Sequence, residues 1–163
     1  MRIGMVVGSR HGATREIGAV LAEELAAAGH EVLDVDPEEF LGPVGLDALV
    51  IGSAIYAGRF VPAVSEVLER HLGALREMPV WVFWSGPIGH GSGASGQAQD
   101  VRRQLERLRP RGTREFGGRL ERAELVLRER AAVEQVGAEY GDFRDFEAVR
   151  AWAAEILEDL RGS

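Results

Sequence analysis

Between residues 3 and 17 the chain changes from one periodicity to another with almost no room to turn. Residues 3–7, Ile-Gly-Met-Val-Val, are an apolar run closed by Gly8, the pattern of a short buried strand. From Thr14 onward Ile17, Val20, Leu21 and Leu25 recur at helical spacing. A strand that turns directly into a helix leaves the first N–H groups of that helix without backbone partners, and it aims the positive end of the helix dipole at the turn. The hydroxyls of Ser9 and Thr14 stand beside those groups, and Gly12 lets the backbone approach a ligand. Together they make a seat for a phosphate at the carboxyl end of the first strand.

The same alternation continues along the chain and predicts a parallel sheet covered on both faces. Gly29 stops the first helix, and Glu31–Val35 follows as a second strand whose charges suit an edge. Residues 46–52 form a third strand, and Val61-Pro62 opens a helix running to about residue 75, with proline in its first turn. Residues 80–84 are a fourth strand, and the glycine-rich segment 86–96 leads into a helix over 97–108. Residues 113–120 read as a fifth strand broken at Gly117-Gly118, and 122–136 as a heavily charged helix. Asp145 is a good N-cap for a last helix with the stripe Phe146, Val149, Trp152, Ala153, Ile156 and Leu160. The expectation is a single domain over residues 1–163, with five strands and five helices in a doubly wound α/β sheet.

Composition narrows the chemistry. There is no cysteine, which excludes disulfides, thiolate metal sites and thiol redox reactions, so any redox role falls to a bound cofactor. All 19 basic residues are arginine, and without lysine there is neither a Walker-type phosphate loop nor a Schiff base. A formal charge of −7 argues against nucleic acid as a partner. The first strand begins by residue 3 with no signal-like segment before it, and no apolar run approaches membrane-spanning length. The expected location is cytoplasmic.

Ligands of such sheets lie beyond the carboxyl ends of the strands. Here the three central strands lead into residues 8–14, 52–59 and 85–93, all rich in glycine and small polar residues. At these loops the chain resembles the flavodoxin superfamily. Ser9-Arg10-His11-Gly12-Ala13-Thr14 is similar to that family's phosphate loop, a hydroxyl residue, two variable residues, glycine, any residue and a second hydroxyl residue. The continuation Thr14-Arg15-Glu16-Ile17, the stretch Val50-Ile51-Gly52-Ser53-Ala54-Ile55 followed by Gly58, and Asp142-Phe143-Arg144-Asp145-Phe146 resemble the menaquinone-dependent protoporphyrinogen dehydrogenases and their relatives.

The resemblance implies a flavodoxin-like five-stranded sheet of order 2-1-3-4-5 and FMN as cofactor. It places the flavin phosphate at Ser9, Arg10, His11, Gly12, Ala13 and Thr14. The isoalloxazine would lie between Ser53, Ala54, Ile55, Tyr56, Ala57 and Gly58 on one side and Ser85, Gly86, Pro87, Ile88, Gly89 and Gly91 on the other. It further implies an oxidoreductase passing electrons through flavin N5 to a quinone, another small acceptor or a redox partner protein. The alternative is an electron carrier with no substrate of its own, docking through acidic surface. Members of the quinone-linked group carry a long basic, aromatic and apolar insertion after the fifth strand. Here that region holds Glu121, Glu124, Glu129, Glu134 and Glu139 among its arginines, with Tyr140 its one aromatic, and it reads as a solvated helical face.

Among single residues, His90 is the titratable group of the third loop and the one candidate to hand a proton to the reduced flavin or its substrate, against the reading of an exposed loop histidine. His11 can touch phosphate or serve as a spacer, and Arg10 can add a charge-assisted contact or stay in solvent. Tyr56 can pack on the flavin or within its own loop. Arg59 reads as a surface residue, Trp81, Trp84 and Trp152 as core, His30 as a helix-end residue and His71 as solvated. No residues have metal-ligand spacing.

Overall fold

The computed structural model describes residues 1–86, 99–137 and 140–162. Strand β1 (Arg2–Gly8) is buried from Ile3 to Gly8, so its backbone needs partners on both edges. It finds them in β2 (Glu31–Val35) and β3 (Ala48–Tyr56), both parallel to it. Strand β3 in turn pairs with β5 (Val80–Gly86), and β5 with β6 (Gly112–Gly117), also in parallel. The resulting order, β2-β1-β3-β5-β6, is the expected doubly wound arrangement once β4 (Arg59–Phe60), a short strand on the end of β3, is set aside. The charged strand β2 does lie at an edge.

Each face of the sheet carries its own core. Helices α1 (Ala13–Ala27) and α6 (Phe146–Arg161) cover one face, where Ile17, Leu21 and Leu25 meet Ile3, Met5, Val50 and Phe83, with Trp152 and Ile156 closing the layer. Phe83, Phe116 and Trp152 meet edge to face, with ring centroids 5.8–6.0 Å apart. Helices α2 (Pro62–Arg70), α3 (Leu72–Leu75) and α4 (Gln99–Leu108) belong to the other face, where Val64, Leu68 and Val101 pack on Val6, Ile51 and Val82. Pro62 stands in the first turn of α2, and the Asp145 carboxylate accepts from the N–H groups of Glu147 and Ala148 at the start of α6, both as expected.

The structure differs from the sequence reading at four places, each for a local reason. Strand β3 does not stop at Gly52. It continues to Tyr56 and folds back on β4 through Ala57 (φ 52°) and Gly58 (φ 75°), two left-handed residues in succession, the geometry of a tight hairpin. The helix expected over 61–75 breaks at His71, whose backbone leaves the helical region and whose ring meets Phe40 edge-on at 5.2 Å, so this histidine is packed rather than solvated.

The strand expected over 113–120 ends at Gly117. The chain then turns into β7 (Arg119–Leu120), which pairs with β8 (Gly141–Asp142). A Cβ on Gly117 would lie 2.2 Å from the Phe143 carbonyl oxygen, and one on Gly118 2.0 Å from that of Gly86. The two glycines therefore interrupt the strand because backbone passes against backbone on both sides of them. The charged helix expected over 122–136 begins as a short 3-10 turn, Arg122–Glu124, runs extended through Leu125 and Val126, and becomes α5 (Leu127–Val136).

Close packing at the sheet centre gives a direct test. A Cβ on Gly52 would lie 2.1–2.7 Å from the Phe83 ring, deep in the sheet. Gly52→Ala should therefore lower stability by about 3 kcal/mol, as overpacking of a rigid core does, read as a fall in the urea midpoint with an unchanged m value.

Candidate functional site

The carboxyl ends of β1, β3 and β5 come together, and the β1–α1 turn is the centre of the arrangement. Gly12 caps α1 with φ 88°, a left-handed conformation that lets the chain reverse within the turn, and no atom stands within 4 Å of the Cβ position that it leaves open. The Gly12 N–H donates to Ser9 Oγ at 3.0 Å, and the Gly12 carbonyl accepts from Glu16 N–H at 3.0 Å. The N–H groups of Ala13, Thr14 and Arg15, in the first turn of the helix, have no intrahelical acceptor. These are the unpartnered first-turn donors that the sequence predicts at the carboxyl end of β1.

Thr14 ties this seat to the end of β5. It is buried, and its Oγ1 lies 2.6 Å from Ser85 Oγ. Two hydroxyls bring two protons to one hydrogen bond, so the pair keeps one proton to donate elsewhere. Ser53, also buried, uses its hydroxyl on the backbone. Its Oγ donates to the Ala54 carbonyl at 2.8 Å and accepts from Val61 N–H at 3.0 Å, which fixes the root of the β3–β4 hairpin. Ala54 pairs with Ser85 across β3 and β5, Ile55 with Phe60 and Tyr56 with Arg59 across the hairpin, and Ala57 with Gly58 forms its tip. The Arg10 guanidinium stands 4.3 Å from the centre of the Tyr56 ring, joining the hairpin to the phosphate loop. Gly86 ends β5. Pro87, Ile88, Gly89, His90 and Gly91 lie outside the described residues.

The segment from Gly118 to Arg144, called the strap below, brings in the residues that sequence reasoning missed. Glu129, taken as part of a solvated face, is 2% exposed. Its Oε2 accepts from Arg10 Nε at 2.7 Å and lies 3.2 Å from His11 Nε2, while Val126 N–H donates to its Oε1 at 3.0 Å. Burial pushes the Glu129 carboxyl up, yet the Val126 N–H, the His11 ring and the Arg10 guanidinium together hold it below its ordinary value. Glu129 and Val133, four residues apart, share a face of α5, and Val133 is buried with Leu125 from the extended stretch before the helix; the spacing marks that face, and the fold supplies what covers it.

Arg119 Nη2 donates to the His11 carbonyl at 3.3 Å, and its guanidinium lies within 4 Å of Glu16, Glu121 and Glu124. Arg144 closes the strap on α1, with Nε and Nη2 on the Asp142 carboxylate at 2.8 and 2.7 Å and Nη1 on Glu16. The bond from the Arg144 guanidinium holds the Asp142 carboxyl down at about 2 and, with Glu16 as its second partner, lowers that residue as well. Arg59 pairs with Asp100 at 3.0 Å, both side chains exposed, as a surface arginine. Trp84 is core, tilted against Phe60 at 6.3 Å, and its indole N–H has no partner among the described residues.

This geometry meets the comparisons with known proteins at the same residues. The sequence profile of the flavodoxin domain matches residues 5–146, which includes the phosphate loop, the hairpin and the strap. The chain belongs to the flavodoxin-domain family. Membership indicates FMN as the cofactor, and the open left-handed Gly12, the unpaired first-turn N–H groups and a loop whose cations already hold a carboxylate fit its phosphate.

No curated protein sequence matches the chain. Among solved structures, flavodoxin from Streptococcus pneumoniae TIGR4 superposes with a TM-score of 0.62 at 14% identity over 98% of this chain and 99% of that one. Oxidised flavodoxin 1 from Bacillus cereus gives 0.59 at 14% identity over 97% and 98%. Rubredoxin oxygen:oxidoreductase from Desulfovibrio gigas gives 0.55 at 12% identity, covering 96% of this chain and 37% of that chain. At these identities the likeness is one of fold. Among the described residues, no helix of this flavodoxin-domain protein is long and apolar enough to cross a membrane.

The strap clamp predicts a pH response with a definite sign. The folded-state value of Asp142, about 2, lies below its ordinary 3.8, so its contribution to stability is complete above that ordinary value and is lost as the pH falls toward 2. Arg144→Gln should return the Asp142 carboxyl toward 3.8, read as its carboxyl-carbon titration by NMR, and should remove the acid-dependent loss that Asp142 contributes.

Proposed function

We propose that this chain holds FMN between the 9–14 loop, the 53–58 hairpin and the end of β5, and passes electrons through it from a donor to an acceptor. The observation that carries this reading is the left-handed Gly12 turn, which presents the free N–H groups of α1 at the carboxyl end of β1. When bound, FMN supplies the redox chemistry at its ring system. The residues of the chain do the rest. First-turn N–H groups and the spare proton of the Thr14–Ser85 pair bind phosphate oxygens. The hairpin tip, with Ala57 and Gly58 both left-handed, would offer its backbone groups to the flavin ring, and the Tyr56 side chain would border the site.

A finer form of this reading is an oxidoreductase of the protoporphyrinogen dehydrogenase type, with a quinone or another acceptor. It is supported by the segments that resemble that group, two of which meet in the fold, because Arg144 of Asp142-Phe143-Arg144-Asp145-Phe146 binds Glu16 of Thr14-Arg15-Glu16-Ile17. The strap favours a second reading, an electron carrier that serves redox partner proteins. In place of a basic apolar arm it carries exposed glutamates among its arginines; Leu125 and Val133 are buried in a cluster of their own, and Val126 and Leu127 are exposed.

Visible spectra of the purified protein, before and after FMN addition and desalting, test the cofactor, and a retained flavin spectrum is expected. Gly12→Ala should weaken FMN binding about tenfold, because a side chain at this positive φ strains the loop by about 1–2 kcal/mol. An anaerobic reductive titration and an assay with protoporphyrinogen and a menaquinone analogue then separate the two forms. Turnover supports the enzyme. Resolved one-electron steps without turnover support the carrier. Absence of both flavin retention and fluorescence quenching overturns the proposal.

A further inference from the structure

Glu129 is a buried acid standing on the 9–14 loop, which among the described residues is shaped to receive an anion. Its position is set by its own helix, because Val126 N–H donates to Oε1 at 3.0 Å, the one half of a capping pattern that a glutamate in the first turn supplies. The second oxygen is thereby aimed at Arg10 Nε and His11 Nε2. Arg10 is the only permanent cation among residues 9–14, and Glu129 neutralises it. Each of these nitrogens carries at most one hydrogen, so the N–H given to Glu129 is not available to a phosphate oxygen.

We propose that Glu129 is a built-in competitor for the flavin phosphate: it holds Arg10 Nε and His11 Nε2, and a bound phosphate draws these two donors away from it. This rests on the reading of residues 9–14 as the FMN phosphate seat. The opposite role is that Glu129 prepares Arg10 for the phosphate, and two observations weigh against it. Arg10 is already oriented by the Tyr56 ring at 4.3 Å, so its order does not depend on Glu129 alone. The carboxylate, moreover, adds a like charge beside the phosphate. At a partly buried site two like charges about 8 Å apart change an affinity by about tenfold or more.

The test is Glu129→Gln, in which the amide oxygen can still accept from Val126 N–H while the charge is removed. The FMN dissociation constant, from quenching of flavin fluorescence, should fall about tenfold. That of riboflavin, which has no phosphate, should not change. Glu134→Gln removes an exposed charge from the same helix and should leave both constants within about twofold. Equal or weaker FMN binding by Glu129→Gln, with riboflavin binding intact, overturns the proposal and leaves the flavin reading standing. Failure of the unmodified protein to bind FMN at all overturns both.

Should the variant not fold, the unmodified protein supplies the second measurement. The NMR signals of Arg10 Nε and His11 Nε2 should shift on adding FMN and stay in place on adding riboflavin. Signals unmoved by FMN overturn the proposal.

Discussion

Burial of β1 on both faces is the constraint from which the rest of this structure follows. A strand with no solvent-facing side must have every backbone group paired, so β1 can only be interior, with β2 and β3 as its neighbours. Parallel pairing then places the exits of β1, β3 and β5 at one end of the sheet. The short link to α1 leaves first-turn N–H groups at that end, next to the root of a hairpin fixed by Ser53 and a hydroxyl pair fixed by Thr14 and Ser85. The seat proposed for the phosphate is thus a consequence of packing the first strand, and the hydroxyls that border it also hold the strands and helices together.

The strap has a different physical basis. Little of it contributes to the two main cores; it is held by close backbone passage at Gly117 and Gly118 and by charged groups on α1 and the phosphate loop. Arg144 joins Asp142 to Glu16, Arg119 reaches the His11 carbonyl, and Glu129 takes Arg10 and His11. Such pairs contribute little where both partners are in solvent, and more where one of them is buried, as Glu129 is. The strap therefore acts most strongly where it meets the loop. In a chain of net charge −7, Arg10, the one permanent cation among residues 9–14, is already engaged by an acid of the protein itself.

Much of the fold was legible in the residues. Long-period patterns such as Ile17, Leu21 and Leu25, apolar runs such as residues 80–84, and local caps such as Asp145 each depend on a few neighbours in sequence, and the structure keeps them all. Gly12 was legible as a point of close approach to a ligand, and the structure adds its left-handed conformation at the head of α1, which a side chain would strain. The extension of β3 past Gly52 was not legible, since residues 53–56 look like loop until β4 returns to pair with them.

The strap shows where local reasoning ends. Sequence by itself determined the alternation of strands and helices, the strand–helix turn at residues 8–14 and the absence of thiol and lysine chemistry, because those depend on periodicity, short-range turns and residue type, while the strand order came with the family resemblance. Only the tertiary structure decided that Glu129, in a stretch dense with exposed charge, is the buried one. Arg10 and His11 lie 119 and 118 residues away from it in the chain, and the burial of a charged side chain is set by the partners that the fold brings to it.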